Sequence, residues 1–191
     1  MGSELERETT TPIADEALAL RLRDGDQSAG EELIRRHMPG LMRYLHRLVN
    51  NDLIAEELHQ QAWSSVLEHL DRFDASSGGG GFKAWLYRIA TNKANDHWRS
   101  RGREKAAKTG LRLITEEAGP DASYRMEGSE EQAKLRRAIE TLPENQKQVL
   151  LLRYYSNLKF VEIAEMLGCP LNTALGRMHK AMLRLKQIMS E

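Results

Sequence analysis

From Ile13 to Trp98 the apolar residues return every three or four positions, as in Leu41, Leu45 and Leu48 and again in Ala62, Val66 and Leu70. Nowhere in that span do apolar and polar residues alternate for long enough to make a strand, so this part of the chain is committed to helices. Asn50-Asn51-Asp52 interrupts the rhythm as a turn and cap, and Asp74 to Gly81, with four consecutive glycines, reads as a loop. From Arg99 to about Glu131 the rhythm is lost, with Gly102, Gly110, Gly119-Pro120 and Gly128 scattered among charges. Such a segment is a linker, at best partly helical. The expected architecture is all-α: a disordered tail over 1–14, a helical domain over 15–98, a linker over 99–131 and a second helical domain over 132–191.

The second domain carries the most specific local pattern. Phe160, Ile163, Ala164 and Leu167 repeat at helical spacing and stop at Gly168, after which Cys169-Pro170 turns the chain into another helix near Leu171. Two helices joined by a short turn containing glycine make a helix-turn-helix. Upstream, Leu135, Ile139 and Leu142 form one stripe, Pro143 suits the first turn of the next helix, and Val149 to Tyr155 is that helix's apolar end. In the last helix the expected buried stripe is Leu171, Ala174, Leu175, Met178, Ala181, Met182 and Leu185. The opposite face is then Thr173, Gly176, Arg177, Lys180 and Arg184, small at its start and basic further along. That order suits a helix whose first half enters a major groove while later residues hold phosphates. An ordinary amphipathic helix with cations at its C-terminal end has the same spacing.

Charge is balanced overall, 28 Lys and Arg against 28 Asp and Glu, but it is arranged in blocks. The net is negative up to Trp98, positive from Arg99 to Leu113, negative again to Glu131 and positive to the end. Alternating blocks suit a polyanion on some surfaces and a basic protein on others. No apolar run approaches the ~18 residues that span a bilayer, and the start is polar, so membrane insertion is not expected and a cytoplasmic protein is. The single cysteine, Cys169, can form neither an internal disulfide nor a multi-cysteine zinc site. None of the six histidines completes a metal-binding motif, and the glycine run lacks the Lys-Ser/Thr of a phosphate loop. No cofactor, metal site or catalytic constellation is expected, and the chain does not read as an enzyme.

Two further constellations remain. Phe82, Trp85, Tyr87 and Trp98 are interleaved with Lys83, Arg88, Lys93, Arg99, Arg101 and Arg103, a mixture that either packs a core or stacks on unpaired bases while cations track the backbone. Asp52, Glu56 and Glu57 with Gln60 form an acidic stretch, either a solvated face or a surface for a basic partner.

These residues resemble a known family. Ala55 to Gln60, Leu70 to Asp74, and Phe82 to Ala90 with Asn92, Asp96 and His97 are similar to region 2 of extracytoplasmic-function (ECF) sigma factors of the sigma-70 family. Leu142 to Tyr155, Glu162 to Pro170, and Thr173 to Ala181 are similar to their region 4. The resemblance implies a factor that recruits core RNA polymerase to specific promoters and opens the minus-ten element. Asp52, Glu56, Glu57 and Gln60 would dock on the β′ clamp helices. Phe82, Trp85, Tyr87, Arg88, Asn92, Asp96, His97 and Arg99 would engage the minus-ten DNA. Thr173, Leu175, Gly176, Arg177, His179 and Lys180 would engage the minus-thirty-five DNA, with region 4 also contacting the β flap. An anti-sigma protein is a further candidate partner. Leu175 and Gly176 depart from the family pattern, which usually has Lys or Arg and then Ser there. The competing class is a stand-alone helix-turn-helix transcription regulator, which would bind duplex DNA unaided.

Overall fold

The computed structural model describes residues 12–76, 80–109 and 129–190, with the side chains of 104–109 left aside. Within them lie eight α-helices, one 3-10 turn and no strand. The first helix, α1 (Asp15–Arg23), opens on Asp15 and Glu16 and closes on Arg21 and Arg23, charges that complement its dipole. Asp26 then caps α2 (Gln27–Val49): its carboxylate accepts from the Ser28 backbone N–H at 3.0 Å and pairs with Arg21 at 2.6 Å. Those two partners hold its pKa down to about 2. At the other end Asn50 takes a left-handed φ of 51°, which asparagine tolerates better than most side chains. The Asn51 carboxamide oxygen accepts from the Ile54 N–H at 3.0 Å and starts α3 (Asp52–Glu68). The expected turn and cap at 50–52 is therefore present atom by atom.

After a 3-10 turn (Leu70–Arg72) and a loop that ends on Gly80 and Gly81, both at positive φ, comes α4 (Gly81–Thr109). This helix does not stop at Trp98. It continues through Gly102, so the first part of the expected linker is helical, while residues 110–128 lie outside the described residues, as does most of the expected N-terminal tail. The second domain begins at Ser129, whose hydroxyl caps α5 (Glu130–Glu140), followed by α6 (Glu144–Ser156) with Pro143 at its N-cap. Then come α7 (Phe160–Met166) and α8 (Leu171–Ser190). Gly168 turns the chain between these last two at φ 59°, and the Cys169 N–H closes back on the Ala164 carbonyl at 2.9 Å. This is the helix-turn-helix that the Phe160–Pro170 pattern leads one to expect.

Phe82 is the centre of the first domain. It is fully buried, with the rings of His37, Trp63, Phe73 and Trp85 between 5.7 and 6.4 Å from its own. Tyr44 and Tyr87 pack at 5.4 Å nearby, and the Tyr44 hydroxyl is paired with Thr91 Oγ1 at 2.7 Å.

The two domains are in contact. On α6 every residue from Lys147 to Leu152 is buried, and six successive positions cover the whole circumference of a helix. Leu150 joins Ala138, Leu142, Ala181 and Leu185 in a small core of the second domain. Val149, Leu151 and Leu152 belong to the large core that includes Leu41, Leu45 and Leu48 of α2. Polar contacts pin the same junction. Lys147 Nζ donates to the Leu48 carbonyl at the C-terminal end of α2 (3.5 Å), and Gln148 Nε2 donates to Asn95 Oδ1 on α4 (2.7 Å). Gly40 lies at a close approach of these elements: a Cβ there would stand 2.9 Å from Tyr87 Oη and 3.7 Å from the Tyr155 carbonyl oxygen.

Candidate functional site

Three helices present outward faces of different chemistry. On α3, Ala55, Leu58, Ala62 and Val66 point into the core, which turns Glu56, Glu57 and Gln60 to solvent. Leu53 lies on the same outward face and is 71% exposed. Sequence reasoning missed it, although a leucine one turn before two glutamates on a face opposite the core carried the signal. Asp52 stands apart from this face: it is half-buried at the start of α3, and its carboxylate is 2.8 Å from His46 Nδ1.

On α4 the buried set is Phe82, Ala84, Leu86, Tyr87, Ala90, Thr91 and Ala94. The outward stripe is then Trp85, Arg88, Asn92, Asp96 and Arg99. Trp85 is half-buried, the other four are exposed, and Arg99 pairs with Asp96 at 3.0 Å. Five of the eight expected minus-ten residues thus share one stripe. Phe82 and Tyr87 do not, because their rings fill the core and offer no face to a base. His97 is half-buried with its Nε2 enclosed and without a partner among the described residues. Trp98 packs partly against the core.

The second domain covers the start of that stripe. Arg72, Phe73, Asp74, Gly81, Ala84, Trp85 and Arg88 line a cleft whose opposite wall is Glu165 and Met166 of α7. Glu162, one turn earlier, is so close to the glycine loop that a Cβ on Gly80 would come within 3.2 Å of its Cγ.

On α8 the inward positions are Ala174, Met178, Ala181 and Leu185. Leu171, Leu175 and Met182, expected in the buried stripe, are exposed. The apolar set of this helix is wider than its core contact: two alanines bring it close to its neighbours, and larger side chains on the flank are left outside. Asn172, Thr173, Leu175, His179, Lys180 and Leu183 are exposed, and Gly176 sits among them. The Arg177 guanidinium folds toward Cys169 Sγ at 3.7 Å and is half-buried. Asn172 is an outward residue that sequence reasoning did not single out, although it stands four positions before Gly176 on the same face.

Glu144, at the start of α6, is an acid at the domain junction whose titration the fold perturbs. Burial pushes its carboxyl up from its ordinary value, opposed by Lys147 at 3.9 Å, and its Oε1 has no hydrogen-bond partner among the described residues. Among the described residues no group of three or more His, Cys, Asp or Glu is placed to hold a metal, and no helix is long and apolar enough to cross a membrane.

The described residues thus present an outward helix-turn-helix, an acidic α3 face and a mixed α4 stripe. Residues 33–104 match the Sigma-70 region 2 family and residues 132–185 match Sigma-70 region 4. The chain is 30% identical over 90% of its length to the RNA polymerase sigma factor CarQ of Myxococcus xanthus, covering 95% of that protein. It is 29% identical over 90% of its length to the sigma-H factor of Pseudomonas aeruginosa, covering 91% of it. Its fold matches the sigma factor RpoE bound to the anti-sigma factor NepR from Bartonella quintana, with a TM-score of 0.68 at 24% identity over 84% of this chain and 96% of that one. The chain belongs to the sigma-70 family, as an RNA polymerase sigma factor of the ECF type. The stand-alone regulator is set aside by the region 2 match, which such a protein has no use for.

Proposed function

We propose that the three outward faces divide the work of initiation, and that the chain supplies binding rather than catalysis. Glu56, Glu57 and Gln60, with Leu53 among them, form the surface for the β′ clamp helices of core polymerase. Anions steer and register a basic partner, and an exposed leucine at the edge of such a patch supplies apolar contact. The Trp85, Arg88, Asn92, Asp96 and Arg99 stripe takes the opened minus-ten strand, with Trp85 the aromatic within reach of a base and the two arginines tracking phosphates. On α8 the exposed Thr173, Leu175, His179 and Lys180, with the half-buried Gly176 among them, face the minus-thirty-five duplex, with Arg177 at the edge. Region 4 also meets the β flap, and a protein inhibitor of the anti-sigma class is the regulator to test.

The observation that supports this assignment most strongly is the orientation of α3. Glu56 and Glu57 are turned away from the core and make no ion pair with a Lys or Arg among the described residues, although Gln61 donates to Glu57 at 2.9 Å. A cluster of anions left facing water on a helix that needs none for its fold suits an external cationic partner. Glu57→Lys should weaken assembly with core polymerase by several kcal/mol, since it sets like charges against each other at the interface. Unchanged polymerase affinity, with the helical signal intact by circular dichroism, would remove α3 as the docking surface.

A further inference from the structure

Gly176 lies in the middle of the outward face of α8, yet nothing among the described residues asks for a glycine there. Its φ is not positive, and a Cβ built on it meets no atom within 4 Å. Glycine inside a helix is a poor choice compared with alanine, because the unfolded chain gains more freedom from it. A bare backbone that the fold does not need is explained by something outside the chain that approaches closely. Beside it, Leu175 is 41% exposed, and the cations Lys180 and Arg184 lie exposed along the other flank. A duplex fits this arrangement: phosphates on the cationic flank, the groove floor against Gly176, and an apolar group of a base edge against Leu175. The only apolar group that base pairs present in the major groove is the thymine methyl.

We propose that Leu175 reads a thymine methyl in the minus-thirty-five element, and that Gly176 is bare so that the helix can sit deep enough for the contact. The proposal rests on α8 being the minus-thirty-five reader. It makes this chain's preference differ from one set by a cation at position 175, which would favour guanine or a phosphate.

The test uses holoenzyme assembled from the full chain and core polymerase. Binding sites are first selected from promoters with a randomised minus-thirty-five region, and each selected thymine is then replaced singly by deoxyuridine, which removes only the methyl. At one position the wild type should lose about fourfold in affinity, the worth of one buried methyl-sized group, and Leu175→Ala should lose the discrimination there. Gly176→Ala should raise the melting temperature of the free protein while weakening promoter binding, a pairing of effects that a purely structural glycine would not give. Indifference to every deoxyuridine, or unchanged binding by Gly176→Ala, overturns the proposal. A footprint that lacks the minus-thirty-five region altogether would instead overturn the assignment of α8.

A second inference comes from the domain junction. The wall that α7 builds over Trp85 and Arg88 is made by Glu165 and Met166, with Glu162 one turn away against the glycine loop, so an anion stands over the stripe where a DNA strand on α4 would lie. We infer that the docked arrangement is a resting form in which region 4 masks the minus-ten stripe until the two regions part. Lys147 is the point at which to force them apart. It lies on α6 against the Leu48 carbonyl, where a helix's negative end favours a cation, so Lys147→Glu places an anion there. In the free full-length chain this variant should show a larger radius of gyration by small-angle scattering. It should also bind a single-stranded minus-ten oligonucleotide severalfold more tightly than the wild type, with unchanged circular dichroism. A second route is Gly40→Trp, which wedges the same contact from the region 2 side. If both variants keep the wild-type radius and oligonucleotide affinity, or the wild type already binds the strand as tightly as they do, region 4 masks nothing.

Discussion

Region 2 and region 4 are both small and helical, but they solve the problem of a core differently. Region 2 closes around its own aromatics, with Phe82 ringed by four other side chains and Tyr44 bonded to Thr91. Region 4 has only a thin core of its own around Leu150, Ala138 and Leu185, and the other side of α6 is buried against α2. A domain of this size has too much surface for its volume to bury a full apolar complement alone. The lesson is that region 4 is stabilised by whatever covers α6, and in this structure that cover is region 2.

Three substitutions test the contrast, beginning with the largest expected effect. Phe82→Ala should cost about 3–5 kcal/mol, the usual loss for a buried aromatic, and should lower the melting temperature of region 2. A variant of normal stability with impaired promoter opening would mean that Phe82 serves DNA rather than the core. Gln148→Ala should cost about 1–3 kcal/mol, because it leaves the Asn95 carboxamide oxygen without its donor at a partly buried site. That loss should appear as weaker docking of the regions, read by scattering or by protease sensitivity at the junction, rather than as unfolding of region 2. Glu144→Gln should have the smallest effect, and one that depends on pH. Burial raises the Glu144 carboxyl above 4.5, so the fold disfavours its charged form. Below that ordinary value both side chains are neutral and the two proteins should melt alike. As the pH rises from that ordinary value toward the shifted one, the unfolded chain ionises first and the wild type alone loses stability, so above the shifted value the variant should be the more stable by a constant amount. Lower stability of the variant at neutral pH would show that pairing with Lys147 outweighs desolvation.

Much of this was legible in the sequence, for identifiable reasons. Asn50-Asn51 and the Gly168-Cys169-Pro170 turn are local, since their chemistry is decided by the residues themselves, and both appear where the pattern puts them. The inward and outward faces of α4 were harder to separate. Phe82, Trp85 and Tyr87 lie within six residues, and spacing cannot say which ring has neighbours until α2 and α3 are in place. On α8 apolar side chains cover more of the circumference than the core can take, so Leu171, Leu175 and Met182 could not be told from Ala174 and Ala181 by period. The run Val149-Leu150-Leu151-Leu152 did carry a sign of the junction, because it is apolar on every side of its helix. A single short sequence does not say what lies against the second side.

The two-sided burial of α6 also sets how the protein answers temperature. Parting the regions wets Val149, Leu151 and Leu152 together with the α2 surface they cover, and newly hydrated apolar surface raises the heat capacity. The apolar part of the docking energy therefore weakens on cooling. Calorimetry of the wild type against Lys147→Glu would register that curvature as a difference in heat capacity, and cooling would favour the parted form of the junction.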